Sequence, residues 1–445
     1  MTARNPTALN PRRRQDREIL ALALPAFGAL VAQPLFVMVD TSVVGRLGTQ
    51  QLAGLGVATA LLMSGVNVFV FLAYATTAAV ARRIGADDIP GAVRQGMDGI
   101  WLALVLGGAV LLAGFPSVRW LVEAFGASAP AAPYATAYLS VAVFGVPAML
   151  MVLASTGVLR GLQDTRTPLR VAASGFAANA VLNIVLVHGA GLGVAGSAWG
   201  TVVAQWGMAA AYLRVVVRGA RRHGIPLWPD LAGVRRCART GAPLLIRTLS
   251  LRVMAVVATA VATQLGDTNL AAHQIVLSFW SLLAFVLDAI AIAGQAIIGR
   301  HLGSGDRSAA REACRSMVRW GVWSGVVLGL LLIVVGPLLV PLFTSDPEVR
   351  RTLVPALLLI ACCQPLSGVV FVLDGVLMGA GDGPYLAWAM LVTLVVFISA
   401  ALAVLVCGGG LVDLWWAMTL MISVRMVTLW ARARSGRWIV TGGTR

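Results

Sequence analysis

Long apolar runs alternate with short polar segments from one end of the chain to the other. Twelve runs can be marked, at 19–44, 52–80, 93–115, 134–156, 169–188, 196–217, 240–263, 272–298, 314–340, 351–374, 386–407 and 411–431. Each is near the roughly 20 residues a helix needs to cross a hydrocarbon layer of about 30 Å. The runs are continuous and lack the ten-residue polar and apolar alternation of a membrane barrel, so the pattern predicts an all-α membrane protein of twelve spanning helices.

The first run breaks its apolar character at Gln33, Asp40, Thr41 and Ser42, and it contains Pro25 and Pro34. A carboxylate at such depth costs about 2.5–3.5 kcal/mol even on lenient scales, so Asp40 is expected to face a wet cavity or a partner and not lipid. Pro34 withholds an amide from the carbonyl of Leu30, which predicts a bend close to the acid.

The two halves of the chain repeat at an offset of 218 residues. Pro25 matches Pro243, LGTQQLA from Leu47 matches LGDTNLA from Leu265, and the register holds for Gly85 and Gly303, Asp88 and Asp306, Pro147 and Pro365, Gly161 and Gly379, and Asp164 and Asp382. Six spans is an even number, so both units begin on the same side and form parallel repeats about an axis along the membrane normal. The expected organisation is an amino-terminal lobe at 1–217, a polar linker at 218–239 and a carboxy-terminal lobe at 240–445. A first span with a full-length counterpart in the second half is expected to be retained and not cleaved as a leader.

Composition agrees with the pattern: 445 residues, 59% hydrophobic and 12% charged, with a mean hydropathy of +0.86. The net charge is +16 with no Lys, so every basic side chain outside the four His is Arg. With the amino terminus inside, 27 Arg fall in cytoplasmic segments and 4 in external loops, which predicts that both termini are cytoplasmic. The charge thus reports orientation, and no soluble domain is left to carry a nucleic-acid site. The five cysteines show no CxxC spacing, so neither zinc nor a disulfide framework is indicated. No Ser/His/Asp or HExxH arrangement is visible, and the short external loops, poor in acids, His and Cys, disfavour a membrane-embedded enzyme.

The Gly-rich loop elements VARRIGADDIPGAVRQG and IIGRHLGSGDRSAAREAC do not form a P-loop or a dinucleotide fingerprint; Asp88 and Asp306 are expected to cap the helices that follow. Together with LPAF and VDTSVVGRLG in the first run, LDAIAIAGQAIIGRHLG from Leu287, GVLRGLQDTRTP and FVLDGVLMGAGD from Phe371, the chain resembles the multidrug and toxic compound extrusion (MATE) transporters over essentially its whole length. Within that family it is similar to the DNA-damage-inducible F (DinF) branch. The resemblance implies two six-helix lobes exporting organic compounds against a proton or sodium gradient, with no cofactor. It also implies that Asp40 takes up the coupling ion, that the first helix bends at Pro25, and that Asn179, Asn183 and Thr201 complete the ion site. Some relatives carry Asp where this chain has Asn183.

The residues support that geometry independently. Asn179 and Asn183 are four apart and share a helix face, and Thr201 lies near the external start of span six, so all three can meet Asp40 in the outer half of one lobe. Adding 218 to Asp40, Asn179 and Asn183 gives Ala258, Phe397 and Ala401, so the first lobe alone carries the constellation. The second lobe instead has Asp288 and Asp374 with Arg247 and Arg252, read as a buried ion-pair network, with a substrate role for Asp288 as the alternative. The expected function is a monomeric antiporter of the inner or plasma membrane that exports amphipathic, cationic organic molecules in exchange for protons. Sodium coupling, or export of organic anions or lipid-linked molecules on the same scaffold, are the alternatives.

Overall fold

The computed structural model describes residues 11–444. Fourteen α-helices run in order as α1 (Pro11–Gly45), α2 (Thr49–Val68), α3 (Phe71–Gly85), α4 (Ile89–Ala124), α5 (Ala132–Ala142), α6 (Val146–Gly161), α7 (Arg166–Ile184), α8 (Gly193–Arg222), α9 (Leu231–Gln264), α10 (Asp267–Gly303), α11 (Arg307–Phe343), α12 (Pro347–Gly379), α13 (Gly383–Val406) and α14 (Leu411–Ser435). With α2 and α3 taken as one span, and α5 and α6 as another, twelve helices among the described residues are long and apolar enough to cross a membrane. The protein is an all-α, multi-pass membrane protein, as the run pattern predicts.

The helices overrun the apolar runs that announce them. The run at 93–115 becomes the 36 residues of α4, and that at 314–340 becomes the 37 residues of α11. Hydropathy marks only the length that fits hydrocarbon, whereas backbone hydrogen bonding continues through the polar ends into the headgroup layer. Two spans are interrupted. A 3-10 turn at Val143–Gly145 separates α5 from α6, where Pro147 withholds an amide from the Val143 carbonyl. The second span breaks at Phe69 and Val70 between α2 and α3.

The chain divides into two compact units, setting the last two residues aside. One joins the described residues up to Phe27 to Leu249–Gly443, and the other is Gly28–Thr248. The helices α1 and α9 therefore each contribute to both units, and membership changes just after Pro25 and just after Pro243. In the Gly28–Thr248 unit α6 is central, packed against α3, α4 and α8; in the other unit α12 is central, packed against α10, α11 and α14.

The 218-residue repeat is reproduced in three dimensions. Asp88 accepts from the Gly91 amide and Asp306 from the Ala309 amide, each at 2.8 Å, so both cap the helix that follows. The central helices approach their neighbours through paired glycines: a Cβ on Gly107 would stand 2.5 Å from Pro147 Cα, and one on Gly325 would stand 2.6 Å from Pro365 Cα. Without a hydrophobic drive between helices in lipid, such backbone proximity supplies much of the packing. The same device at the same register in both units is the physical content of the repeat.

Candidate functional site

In the Gly28–Thr248 unit, Asp40 lies near the end of α1 and is 4% exposed. Its neighbours come from α7 and α8, an antiparallel pair whose connection places the end of one beside the start of the other. Asn183, at the end of α7, donates from Nδ2 to Asp40 Oδ1 at 2.6 Å, and Ser197, in the first turns of α8, donates from Oγ to the same oxygen at 2.6 Å. The second proton of the Asn183 amide goes to Asn179 Oδ1 at 3.0 Å, and Asn179 Nδ2 donates to Thr201 Oγ1 at 3.1 Å. All four polar residues expected from sequence thus meet in one hydrogen-bonded chain.

Ser197 and Tyr138 complete the cluster and are absent from the sequence expectation. Tyr138, on α5, is buried and interacts through its hydroxyl with Asp40, Thr201 and Thr59. Ser197 stands one helical turn before Thr201, so the i,i+4 spacing that links Asn179 to Asn183 also links these two. That spacing was the available signal for Ser197; a lone Tyr in an apolar span gives none.

The backbone around the cluster is shaped to admit it. Gly200 on α8 faces Asn183, whose Oδ1 and backbone amide occupy the space a Cβ would fill. Immediately after Asn183 the helix widens into a π turn at Val185–Gly189, an irregularity that recurs at functional sites. The buried Asn183 Oδ1 has no hydrogen-bond partner among the described residues. The groups that act on Asp40 are neutral donors, with no basic side chain among them. An ionised Asp40 therefore carries a charge that this site does not balance, and a proton or a small cation would complete it.

The repeat places very different residues at the equivalent positions. Asp40, Asn179 and Asn183 correspond to Ala258, Phe397 and Ala401, each fully buried, and Ser197 and Tyr138 correspond to Trp415 and Ala356. Phe397 and Trp415 put apolar bulk where Asn179 and Ser197 stand, alanines replace Asp40, Asn183 and Tyr138, and Thr201 alone keeps its counterpart, Thr419.

The remaining sequence candidates lie on α1, α9, α10 and α12. Helix α1 runs through both Pro25 and Pro34 without a break in its helical span. Asp374, 3% exposed on α12, forms an ion pair with Arg425 of α14 at 3.0 Å, and Arg425 lies 5.9 Å from the Phe371 ring. Arg247 is buried in the Gly28–Thr248 unit with its guanidinium 5.7 Å from the Tyr74 ring. Arg252 is exposed on α9, and Asp288 is half-buried on α10. Arg425, which lies within the last apolar run and was not among the sequence candidates, is a partner that Asp374 faces.

Comparison with known proteins follows the same outline. The MatE family profile matches residues 25–185 and 243–405, one stretch in each half. Over 439 residues the chain is 31% identical to the chloroplastic protein DETOXIFICATION 44 of Arabidopsis thaliana, covering 95% of this chain and 83% of that protein. It is 26% identical to the DNA damage-inducible protein F of Escherichia coli, covering 95% and 94%, and 29% identical to a probable multidrug resistance protein NorM of Pseudomonas putida, covering 93% of each. Among solved structures, a MOP superfamily transporter from Pyrococcus furiosus superposes with a TM-score of 0.85 over 95% of each chain, at 21% identity. A MATE in a bent conformation gives the same TM-score over 96% of this chain and 95% of that one, at 22% identity. The chain therefore belongs to the MatE family, and it is a twelve-helix membrane transporter and not an enzyme.

Proposed function

We propose that the protein is an antiporter that exports amphipathic, cationic organic compounds in exchange for protons, with Asp40 as the group that takes up the proton. The observation that carries this reading is a buried carboxylate held by Asn183, Ser197 and Tyr138, all neutral, in a span that crosses the membrane. Protonation removes the uncompensated charge, and an organic cation removes it by pairing. Mutual exclusion of the two at one carboxylate is enough to couple their movements. The exclusion is either direct or transmitted through a bend of α1 at Pro25 and Pro34. Among the similar solved structures, one MATE is described in a bent conformation and one in a straight conformation.

Sodium is the second reading, favoured by one feature. Asn183 Oδ1 is a buried acceptor without a hydrogen-bond partner among the described residues, two atoms from the amide that holds Asp40. Together with Asp40, Asn179 and Thr201 it offers oxygen ligands, but no second negative charge to offset dehydration of the ion. Substrate class is read from the charge of Asp40 and not from the fold, since fold does not fix substrate. The Pyrococcus furiosus relative is described as having a binding pocket of reverse polarity that suggests a different function.

The remaining parts of the reading are orientation and assembly. Both termini are placed in the cytoplasm of a cell membrane on the Arg asymmetry of 27 to 4, and the working unit is a monomer of two six-helix lobes. The test is transport by protein reconstituted in liposomes, with a panel of cationic and anionic dyes and proton and sodium gradients imposed separately. Cationic dye movement driven by the proton gradient alone is expected. Movement driven by sodium alone without dependence on pH, or of anionic dyes only, contradicts the proposal.

A further inference from the structure

At the end of the Leu249–Gly443 unit where α11 begins and α14 ends, a pocket of about 580 Å3 opens between Arg311, Arg315, Trp430, Arg434 and Trp438. Arg311 and Arg315 are one turn apart on α11, and Arg434, in the last turn of α14, holds its guanidinium 4.9 Å from the Trp430 ring. No carboxylate lines this pocket. Elsewhere at this end of the unit arginines are matched to acids: Arg300 with Glu18 at 2.5 Å, Arg319 with Asp16 at 3.4 Å, and Arg432 with Asp382 at 2.7 Å. Arg311, Arg315 and Arg434 form no such pair among the described residues. Three exposed guanidinium groups therefore line one concavity that holds no carboxylate; Glu312, beside Arg311 and Arg315, lines the neighbouring pocket instead.

The pocket is built, not left over between mobile ends. After α14 the chain turns at Gly436, in the left-handed conformation at φ 66°, and folds back. Trp438 is 1% exposed, and its Nε1 donates to the Ala433 carbonyl at 3.0 Å; the Gly442 amide donates to the Leu302 carbonyl, also at 3.0 Å. This returning segment forms one wall. Towards the membrane interior, the helix faces that carry the arginines become apolar and exposed. On α14 the face of Arg434 continues through Trp430 to Val427, 68% exposed; on α11 the face of Arg311 and Arg315 continues through Val318 to Val322, 40% exposed.

We propose that this pocket binds the phosphodiester headgroup of an anionic phospholipid. The phosphate lies among Arg311, Arg315 and Arg434, and an acyl chain follows Val318 and Val322 of α11 and Val427 of α14 into the bilayer. Guanidinium groups match phosphate oxygens in bidentate geometry, and a Trp one turn inside them sits at the depth where interfacial aromatics belong. The volume exceeds what inorganic phosphate requires and falls within the range of about 300–1,000 Å3 typical of ligand pockets. The apolar continuation favours a lipid over a soluble anion. The placement in the cytoplasmic leaflet, where anionic lipid meets such pockets, rests on the orientation read from the arginines; the pocket chemistry does not.

The test uses the purified full chain. Retention of phosphatidylglycerol against phosphatidylcholine is counted by native mass spectrometry, and thermal unfolding is followed in detergent with each lipid added. Phosphatidylglycerol is expected to be retained and to raise the melting temperature above the phosphatidylcholine value. The variant with Arg311→Gln, Arg315→Gln and Arg434→Gln should lose both effects, with about fivefold weaker binding for each arginine removed. Arg307→Gln with Arg437→Gln, which lowers the net charge at exposed positions outside the pocket, should keep them. If the triple variant does not fold, Arg434→Gln alone, at the exposed end of α14, reports the same loss in smaller measure. Undiminished selectivity in the variants that do fold, or equal loss in the control, overturns the site. Equal protection by millimolar inorganic phosphate overturns the lipid as its occupant.

Discussion

Gly200 offers a sharp test of the Asp40 cluster because the substitution is small and its sign is calculable. A Cβ at this position would enter the space held by the Asn183 side chain, so Gly200→Ala must rotate Asn183 or push α7 from α8. Rotation gives up two hydrogen bonds, to Asp40 at 2.6 Å and to Asn179 at 3.0 Å. A bond to an ionised carboxylate contributes about 1.5–3 kcal/mol, and one between neutral groups about 0.5–1.5 kcal/mol. Alanine returns about 0.8–1 kcal/mol over glycine within a helix. The net expectation is a loss of about 1–3.5 kcal/mol. Gly207, two turns further along α8 with no atom within 4 Å of an added Cβ, provides the control. There the same substitution should stabilise by about 0.5–1 kcal/mol. Thermal unfolding of the purified variants measures both, and dye efflux under an imposed pH gradient measures the functional cost. Opposite shifts, with transport impaired only in Gly200→Ala, are expected. A Gly200→Ala protein as stable and as active as the wild type would mean that Asn183 does not hold Asp40 as described.

Other expectations concern the rest of the molecule. Asp374→Asn strands the buried Arg425 charge and should cost about 3–5 kcal/mol, while Asp374→Leu with Arg425→Met should cost far less; unfolding of the single and double variants tests this, and unchanged stability with selective loss of cationic substrate binding would favour a substrate role. The Ala309 amide and the Ser308 hydroxyl, both donating to Asp306, hold its carboxyl below the ordinary value of 3.8. A depressed value stabilises the start of α11 above about pH 3.8, and that contribution is lost as pH falls through the lower folded value. The protection of the Ala309 amide, its exchange rate relative to the intrinsic rate at the same pH, should therefore persist from neutral pH to pH 5 and fall only in that acid window; protection already lost at neutral pH would contradict the cap. A cysteine placed beside Arg221 should be labelled only from the cytoplasmic side and one near Pro130 only from outside, and the reverse would overturn the topology.

How much was legible depends on the length scale of the interaction. Twelve spans and the repeat could be read because hydropathy over about 20 residues and a fixed register are properties of the chain alone. The caps at Asp88 and Asp306 were equally legible, since the donor amides are three residues away. Breaks within spans were not, because the apolar run continues across Val143–Gly145 and across Phe69 and Val70. Within the site, Asp40 stood out as an acid that is costly in lipid, while Asn179, Asn183 and Thr201 came from the family resemblance, with the four-residue spacing of the two amides in agreement. Ser197 is inexpensive in a helix and escaped notice, although its one-turn spacing from Thr201 and its bulky counterpart Trp415 both mark it. The partner of Asp374 could not be chosen from sequence: Arg247, Arg252 and Arg425 all lie in spans, and only the packing of α12 on α14 selects Arg425.

The central claim is that one carboxylate, Asp40, carries the proton that drives export. Its most direct measurement is substrate-dependent proton movement into liposomes holding the wild type or Asp40→Asn, with folding checked by unfolding temperature. The account predicts that the wild type couples cationic dye efflux to proton entry, and that Asp40→Asn remains folded yet shows neither coupled proton entry nor dye export driven by a pH gradient. Export by Asp40→Asn at the wild-type rate under that gradient would contradict it.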